Sequence, residues 1–235
     1  MILGIDTSTI VSSVALIDNN KVLAELNVQH KLTHSEMLMP NIDTLLKLGS
    51  VNKGDLTAIA VSIGPGSFTG LRIGLATAKA LAYALKIPIV GVSSLEALAY
   101  NFKLPEIYIM PLLDAQKGNC YTALYCWENE QLSIKKPAFV ENLEDILDMA
   151  TGLDKKVLLL GESAVKYAQK IVGVSQNIIL ASPQNIFAKA TSVGLAGANL
   201  LNSGRVDDVM TLEPCYIRKS EAEVLWEKRN ESCNV

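Results

Sequence analysis

A chain of 235 residues with a net charge of −3 has enough length for one large domain or two small ones with real cores. Its 49% hydrophobic and 19% charged residues are ordinary for a soluble globular protein, and its cations gather no further than pairs such as Lys135-Lys136 and Lys155-Lys156. This composition excludes a basic stripe able to grip nucleic acid unaided, an apolar run of membrane-spanning length and, with no C-x-x-C pair, a zinc ribbon.

In chain order, Met1–Asp6, Ser12–Ile17 and Lys21–Val28 read as three strands, with Asp18-Asn-Asn20 as the hairpin signal between the last two. Thr33-x-x-Glu36 is a capping box that predicts a helix running to about Leu48, with Gly49 as its stop and Pro40 expected to bend it. A strand over Leu56–Ile63 leads into Ser62-Ile-Gly-Pro-Gly-Ser-Phe-Thr-Gly-Leu-Arg-Ile-Gly74, followed by a helix rich in small residues, Gly74–Leu85. Then come the strand Ile89–Val92 and a helix opened by Ser93-x-x-Glu96.

The second half restarts this plan. Tyr108–Asp114, Cys120–Cys126 and Gln131–Lys136 read as three strands, followed by a helix near Asn142–Ala150. Val157–Gly161, a helix over Ser163–Val172, Ile178–Leu180 and a helix over Asn185–Leu201 complete it. The separation that carries Asp6 onto Asp114 also carries Ala15-Leu16 onto Ala123-Leu124, which supports an internal duplication. The division expected is an N-terminal lobe, 1–103, and a smaller, trimmed C-terminal lobe, 104–235.

Gly64, Gly66 and Gly70 supply positions for φ > 0 or close backbone approach, and Pro65 fixes one φ. Two readings stay open. The turn can cradle a phosphate at a helix N-terminus, or it can let this helix or a neighbouring protein approach closely. The pattern is neither a P-loop nor G-x-G-x-x-G, so spacing alone does not decide.

His30 and His34 have i,i+4 spacing, but His30 is placed at a strand end, ahead of the capping Thr33, so a shared metal-binding face is not expected. No Ser/His/Asp or Cys/His constellation stands out among two histidines. Cys120, Cys126, Cys215 and Cys233 read as reduced thiols. Met1-Ile-Leu-Gly-Ile lacks a basic region and meets Asp6 at once, so a cytoplasmic protein without a leader is expected.

The helix over Leu71–Lys86 is apolar or small almost all round, with Arg72, Lys79 and Lys86 marking one polar line. The helix from Ser35 offers Met37, Leu38, Met39, Ile42, Leu45, Leu46 and Leu48, more than one stripe requires. Either the two helices bury each other or they form an interface, and the interface is favoured. The residues assigned to it are Met37, Leu38, Ile42, Leu45, Arg72, Ala76, Lys79, Ala80 and Tyr83.

Gly64-Pro65-Gly66-Ser67-Phe68-Thr69-Gly70-Leu71-Arg72 and Lys86-Ile-Pro-Ile-Val-Gly91-Val-Ser-Ser-Leu-Glu96-Ala-Leu98 carry a close resemblance to the TsaB (YeaZ) family. Gly4-Ile-Asp6-Thr-Ser8 and His34-Ser35-Glu36 add to it; the match thins after Asp114-Ala115 and returns at Pro214-Cys-Tyr216-Ile-Arg218. Members of that family are partner subunits of the bacterial machinery that adds a threonylcarbamoyl group to an adenosine of tRNA.

The resemblance implies an α/β, actin-like ATPase (ASKHA) fold of duplicated βββαβα lobes. It also implies pairing with a catalytic paralogue, TsaD, and a small ATPase, TsaE, with tRNA met only indirectly and a homodimer as the form when the partner is absent. Actin-like ATPases use an Asp-x-Gly-Thr turn at the nucleotide; here it reads Asp6-Thr7-Ser8-Thr9, and the missing glycine favours a structural turn over a phosphate cradle. ATP binding is therefore expected to be weak or shared with partners.

TsaD carries a His-x-x-x-His metal pair where this chain has Ser94 and Leu98, neither a ligand for iron or zinc, so no metal and no catalysis are expected here. The alternative from another class is a self-sufficient ATP-dependent kinase or transferase using Asp6, the glycine turn and Asp114.

Overall fold

The computed structural model describes residues 1–19, 21–29 and 33–217. The first lobe opens with three antiparallel strands, β1 (Ile2–Asp6), β2 (Ser12–Asp18) and β3 (Lys21–Val28). Asp18 pairs with Lys21, and Asn19 takes φ 46°, the left-handed conformation that a two-residue hairpin loop demands. Helix α1 (His34–Leu48) follows, then β4 (Ala58–Gly64), α2 (Phe68–Leu85), β5 (Ile89–Ser93) and α3 (Ser94–Tyr100).

The sheet order is β3-β2-β1-β4-β5, with β1, β4 and β5 parallel. β1, β2 and β4 are buried almost throughout, as expected of strands covered on both faces.

The second lobe repeats the plan. β6 (Tyr108–Pro111) and β7 (Leu113–Asp114) are two pieces of the restarted first strand. β8 (Asn119–Glu128) and β9 (Gln131–Asn142) form the hairpin, and α4 (Leu143–Thr151), β10 (Val157–Leu160), α5 (Glu162–Lys166), α6 (Ala168–Ile171) and β11 (Ile178–Leu180) follow. β11, β10, β6 and β8 lie side by side with β9 on the far side of β8, the same order as in the first lobe. The second copy repeats the strand order of the first, with β10 and β11 shorter than β4 and β5.

Several expectations move. The capping box at Thr33 forms, with the Thr33 N–H and hydroxyl donating to the Glu36 carboxylate at 2.9 and 2.7 Å. Pro40 leaves α1 as one continuous helix, its ring exposed on the outer face. The box expected at Ser93 does not form, for Ser93 makes no side-chain cap bond and Glu96 turns into the protein. The helix expected over Ser163–Val172 breaks at Tyr167, whose φ of −105° and ψ of 17° leave the helical region. The helix expected from Asn185 is a 3₁₀ turn at Pro183–Asn185 followed by α7 (Ala190–Asn202).

Although last in the chain, α7 packs on β1, β2, β4 and β5 of the first lobe. Its approach is close: a β-carbon at Gly194 would strike Ile17, and one at Gly197 would strike Ala60. Its first turn is satisfied from the first sheet, with the Ala190 N–H donating to Ser13 Oγ at 2.7 Å and the Thr191 N–H to Glu25 at 3.2 Å. The lobes share a core in which Val90 and Val92 meet Leu95, Leu98, Ile109, Tyr125 and Val193. No helix among the described residues is long and apolar enough to cross a membrane.

Candidate functional site

The Asp6–Thr9 turn ends β1 in the interior. Asp6, Thr7, Ser8 and Thr9 are all buried. Ser8 donates its N–H and hydroxyl to the Asp6 carboxylate at 3.1 and 3.0 Å, and Thr7 Oγ1 donates to the Gly70 carbonyl at 2.8 Å. Complete burial pushes the Asp6 carboxyl up to about 6; the Ser62 and Ser8 hydroxyls and the Ser8 N–H oppose the rise, with a smaller pull from His34. His34 Nε2 lies 2.8 Å from the Thr9 carbonyl, which ties the start of α1 to the same turn.

The glycines explain how the turn is closed. Gly64 has φ 112°, and the Ser67 N–H donates to the Ser8 carbonyl at 2.7 Å. A β-carbon on Gly66 would collide with the Ser8 carbonyl oxygen, one on Gly70 with the Thr7 carbonyl oxygen, and one on Gly74 with Thr7 Oγ1. The glycines thus seat the chain's own Thr7-Ser8 backbone in close approach. Ser67 caps α2, accepting from the Gly70 N–H at 3.2 Å.

The positions matched to a histidine pair are engaged inside the protein. Ser94 Oγ donates to the Pro65 carbonyl, clamping the turn, and Leu98 is fully buried in the shared core. Among the described residues no group of three or more His, Cys, Asp or Glu is arranged to hold a metal. His30 lies outside the described residues.

The residues assigned to an interface divide. Leu38, Ile42 and Leu45 are a correction: they are buried in the first lobe's own core with Leu16, Leu75 and Ala78. Their spacing of four and three residues makes one stripe, and α1 spends it on β2 and α2. Met37 is half-buried, and the surplus apolar residues that reach solvent are Met39 and Leu48.

On α2 the opposite holds. Ala76, Ala80 and Tyr83 are exposed, Tyr83 by 69%, on the side away from buried Leu71, Leu75, Ala78 and Ala82. Arg72 and Lys79 are not a free polar line. The Arg72 guanidinium lies 3.9 Å from the Phe68 ring centroid and donates from Nε to Tyr216 Oη at 2.9 Å. Lys79 Nζ donates to the carbonyls of Met210 and Leu212 at 2.9 and 3.0 Å. Sequence reasoning missed Phe68, Met210 and Tyr216, since the contacts join positions more than a hundred residues apart; the recurring Pro214-Cys-Tyr216 was the available signal.

Residues 27–226 match the family model described as TsaD: tRNA N6-adenosine threonylcarbamoyltransferase. The chain is 37% identical to "tRNA threonylcarbamoyladenosine biosynthesis protein TsaB" of Bacillus subtilis, covering 96% of this chain and 97% of that protein. It is 27% identical to the Escherichia coli protein of the same name, covering 97% of each. Its fold superimposes on the solved structure "YeaZ from Pseudomonas aeruginosa" with a TM-score of 0.77 at 25% identity, covering 92% of this chain and 99% of that one. With the fold, the closed turn and these relatives together, the chain belongs to the TsaB (YeaZ) family of tRNA threonylcarbamoyladenosine biosynthesis proteins.

Proposed function

We propose that the chain acts in this biosynthesis as a non-catalytic scaffold and activator. It pairs with a metal-dependent TsaD-like paralogue and, with it, recruits a TsaE-like ATPase for threonylcarbamoyl transfer to tRNA. The observation that carries the reading is the α2 face. Ala76 and Ala80 stand exposed on a helix whose flanking cations are occupied within the chain, leaving a small-residue surface that a facing helix can approach closely.

The chemistry of the turn supports the same reading. Backbone and side chains of Thr7 and Ser8 fill the space the glycines leave, so ATP is held weakly or only together with a partner. Ser94 and Leu98 bring no ligand for iron or zinc, so metal chemistry belongs to the paralogue. Without that paralogue the same face pairs two copies of this chain, and tRNA is reached through the complex, in the cytoplasm.

The test is copurification with the paralogue and reconstituted transfer to tRNA, using wild type and Ala80→Arg. Loss of both by a folded Ala80→Arg variant is the expected result. Transfer by the purified chain alone would replace the scaffold with an enzyme.

A further inference from the structure

Beyond α7 the chain returns along the first lobe as residues 207–217. The Asp207 N–H donates to the Ile89 carbonyl at 3.0 Å, and its carboxylate accepts from the Gly91 N–H at 2.7 Å. Asp208 Oδ1 accepts from the Met210 and Thr211 N–H groups at 2.7 and 2.9 Å, and the Leu212 N–H closes the turn onto the Asp208 carbonyl at 2.9 Å. Further on, the Cys215 N–H donates to the Ile63 carbonyl at 2.7 Å, and Tyr216 stacks on Phe68 with ring centroids 5.1 Å apart. The strap is thus tied at both ends and at Lys79 in its middle.

Its place beside α2 follows from helix geometry. At about 100° per residue, Arg72 and Lys79 fall on the same margin of the exposed face whose centre holds Ala76, Ala80 and Tyr83. Both residues bind the strap, so the strap lies along that margin. On it Met210 is 72% exposed although its own N–H and carbonyl are hydrogen-bonded. An unbranched thioether held outward on a fixed turn adapts its shape to a partner, while the backbone beneath it loses little freedom on binding.

We propose that the strap is the second half of the docking face for the TsaD-like paralogue, with Met210 and Tyr216 touching that partner beside Ala76 and Ala80. Lys79 and Arg72 are positioning residues that hold the strap in register. The partner surface that fits is an apolar helix, seated on exposed Met210 and on the small residues Ala76 and Ala80. This inference rests on the pairing proposed above and extends it from one helix to a composite surface.

The experiment measures binding of the full chain to the metal-dependent paralogue of the same organism by calorimetry, with thermal unfolding of each variant alone. Met210→Asp, at an exposed position, should unfold as wild type does yet bind at least tenfold more weakly. Lys79→Met should weaken binding similarly and be rescued by Lys79→Arg, which restores donors to the two carbonyls. Wild-type binding by Met210→Asp and Lys79→Met, with binding lost in Ala80→Arg, would overturn the composite face while leaving the pairing intact. Wild-type binding by Ala80→Arg would overturn the pairing through α2 itself.

Discussion

Ser67 donates its backbone N–H to the Ser8 carbonyl oxygen at 2.7 Å, tying the Gly-Pro-Gly turn to the polar end of the first strand. The contact exists only because Gly66 and Gly70 offer no side chain at that surface. Gly70→Ala drives a methyl into the Thr7 carbonyl, and overpacking of this kind is expected to cost about 1–3 kcal/mol or more. Gly54, with open space around its Cα, is the control, and Gly54→Ala should change stability by less than about 0.5 kcal/mol. Urea unfolding of the two variants checks the difference.

Asp6 makes stability depend on pH in a stated direction. Its pKa is about 6 in the folded protein against 3.8 as an ordinary carboxyl, because burial disfavours the charged form. The folded state therefore holds the proton more tightly. The stabilisation this brings is complete below pH 4 and is lost as pH rises through 6, a loss on the order of 3 kcal/mol. Asp6→Asn keeps an oxygen acceptor for Ser8 but does not titrate, so its stability relative to wild type should rise from pH 4 to 7. A constant difference across that range would contradict the assignment.

Two substitutions separate core from surface. Leu38→Glu places a charge in the closed core of the first lobe, so the chain should lose its cooperative unfolding transition. Ala80→Arg points into water and should change stability by no more than about 0.5 kcal/mol. Circular dichroism with thermal melting distinguishes them.

The docking of α7 on the first lobe is tested at Ser13. Ser13→Ala removes the acceptor for the buried Ala190 N–H and the partner of Asn27, and an orphaned buried donor costs about 1–3 kcal/mol. Gly197→Leu, which strikes Ala60 and Val90, should be more severe. If the Ser13→Ala loss is real, amide exchange in α7 should accelerate with it.

Much of the first lobe was legible because its signals are local. Asp18-Asn-Asn20, the Thr33/Glu36 box and the run of glycines each act over a few residues, and the elements they predict form, although α2 begins at Phe68, six residues ahead of the expected Gly74, because Ser67 caps it. The repeat was legible because two lobes with one strand order need the same alternation of apolar segments.

The candidate site was legible in kind but not in allocation. Apolar spacing marks Leu38, Ile42 and Leu45 as one face of α1, yet spacing does not say whether that face meets its own sheet or another protein. The return of α7 and the strap depends on contacts across the whole chain, such as Lys79 with Leu212, which no local pattern encodes. The break at Tyr167 was hidden for the same reason, since the residues on both sides favour a helix.

As the proposed scaffold, the chain would enable threonylcarbamoyl transfer without performing it. The direct measurement is transfer to tRNA in a reconstituted system containing the chain alone, the TsaD-like paralogue and TsaE-like ATPase without it, and all three together. A non-catalytic scaffold should give product with all three present, little in either incomplete mixture, and loss of product when Ala80→Arg replaces the wild-type chain. Product from the chain alone, abolished by Asp6→Ala, would make the chain the enzyme and overturn the scaffold role.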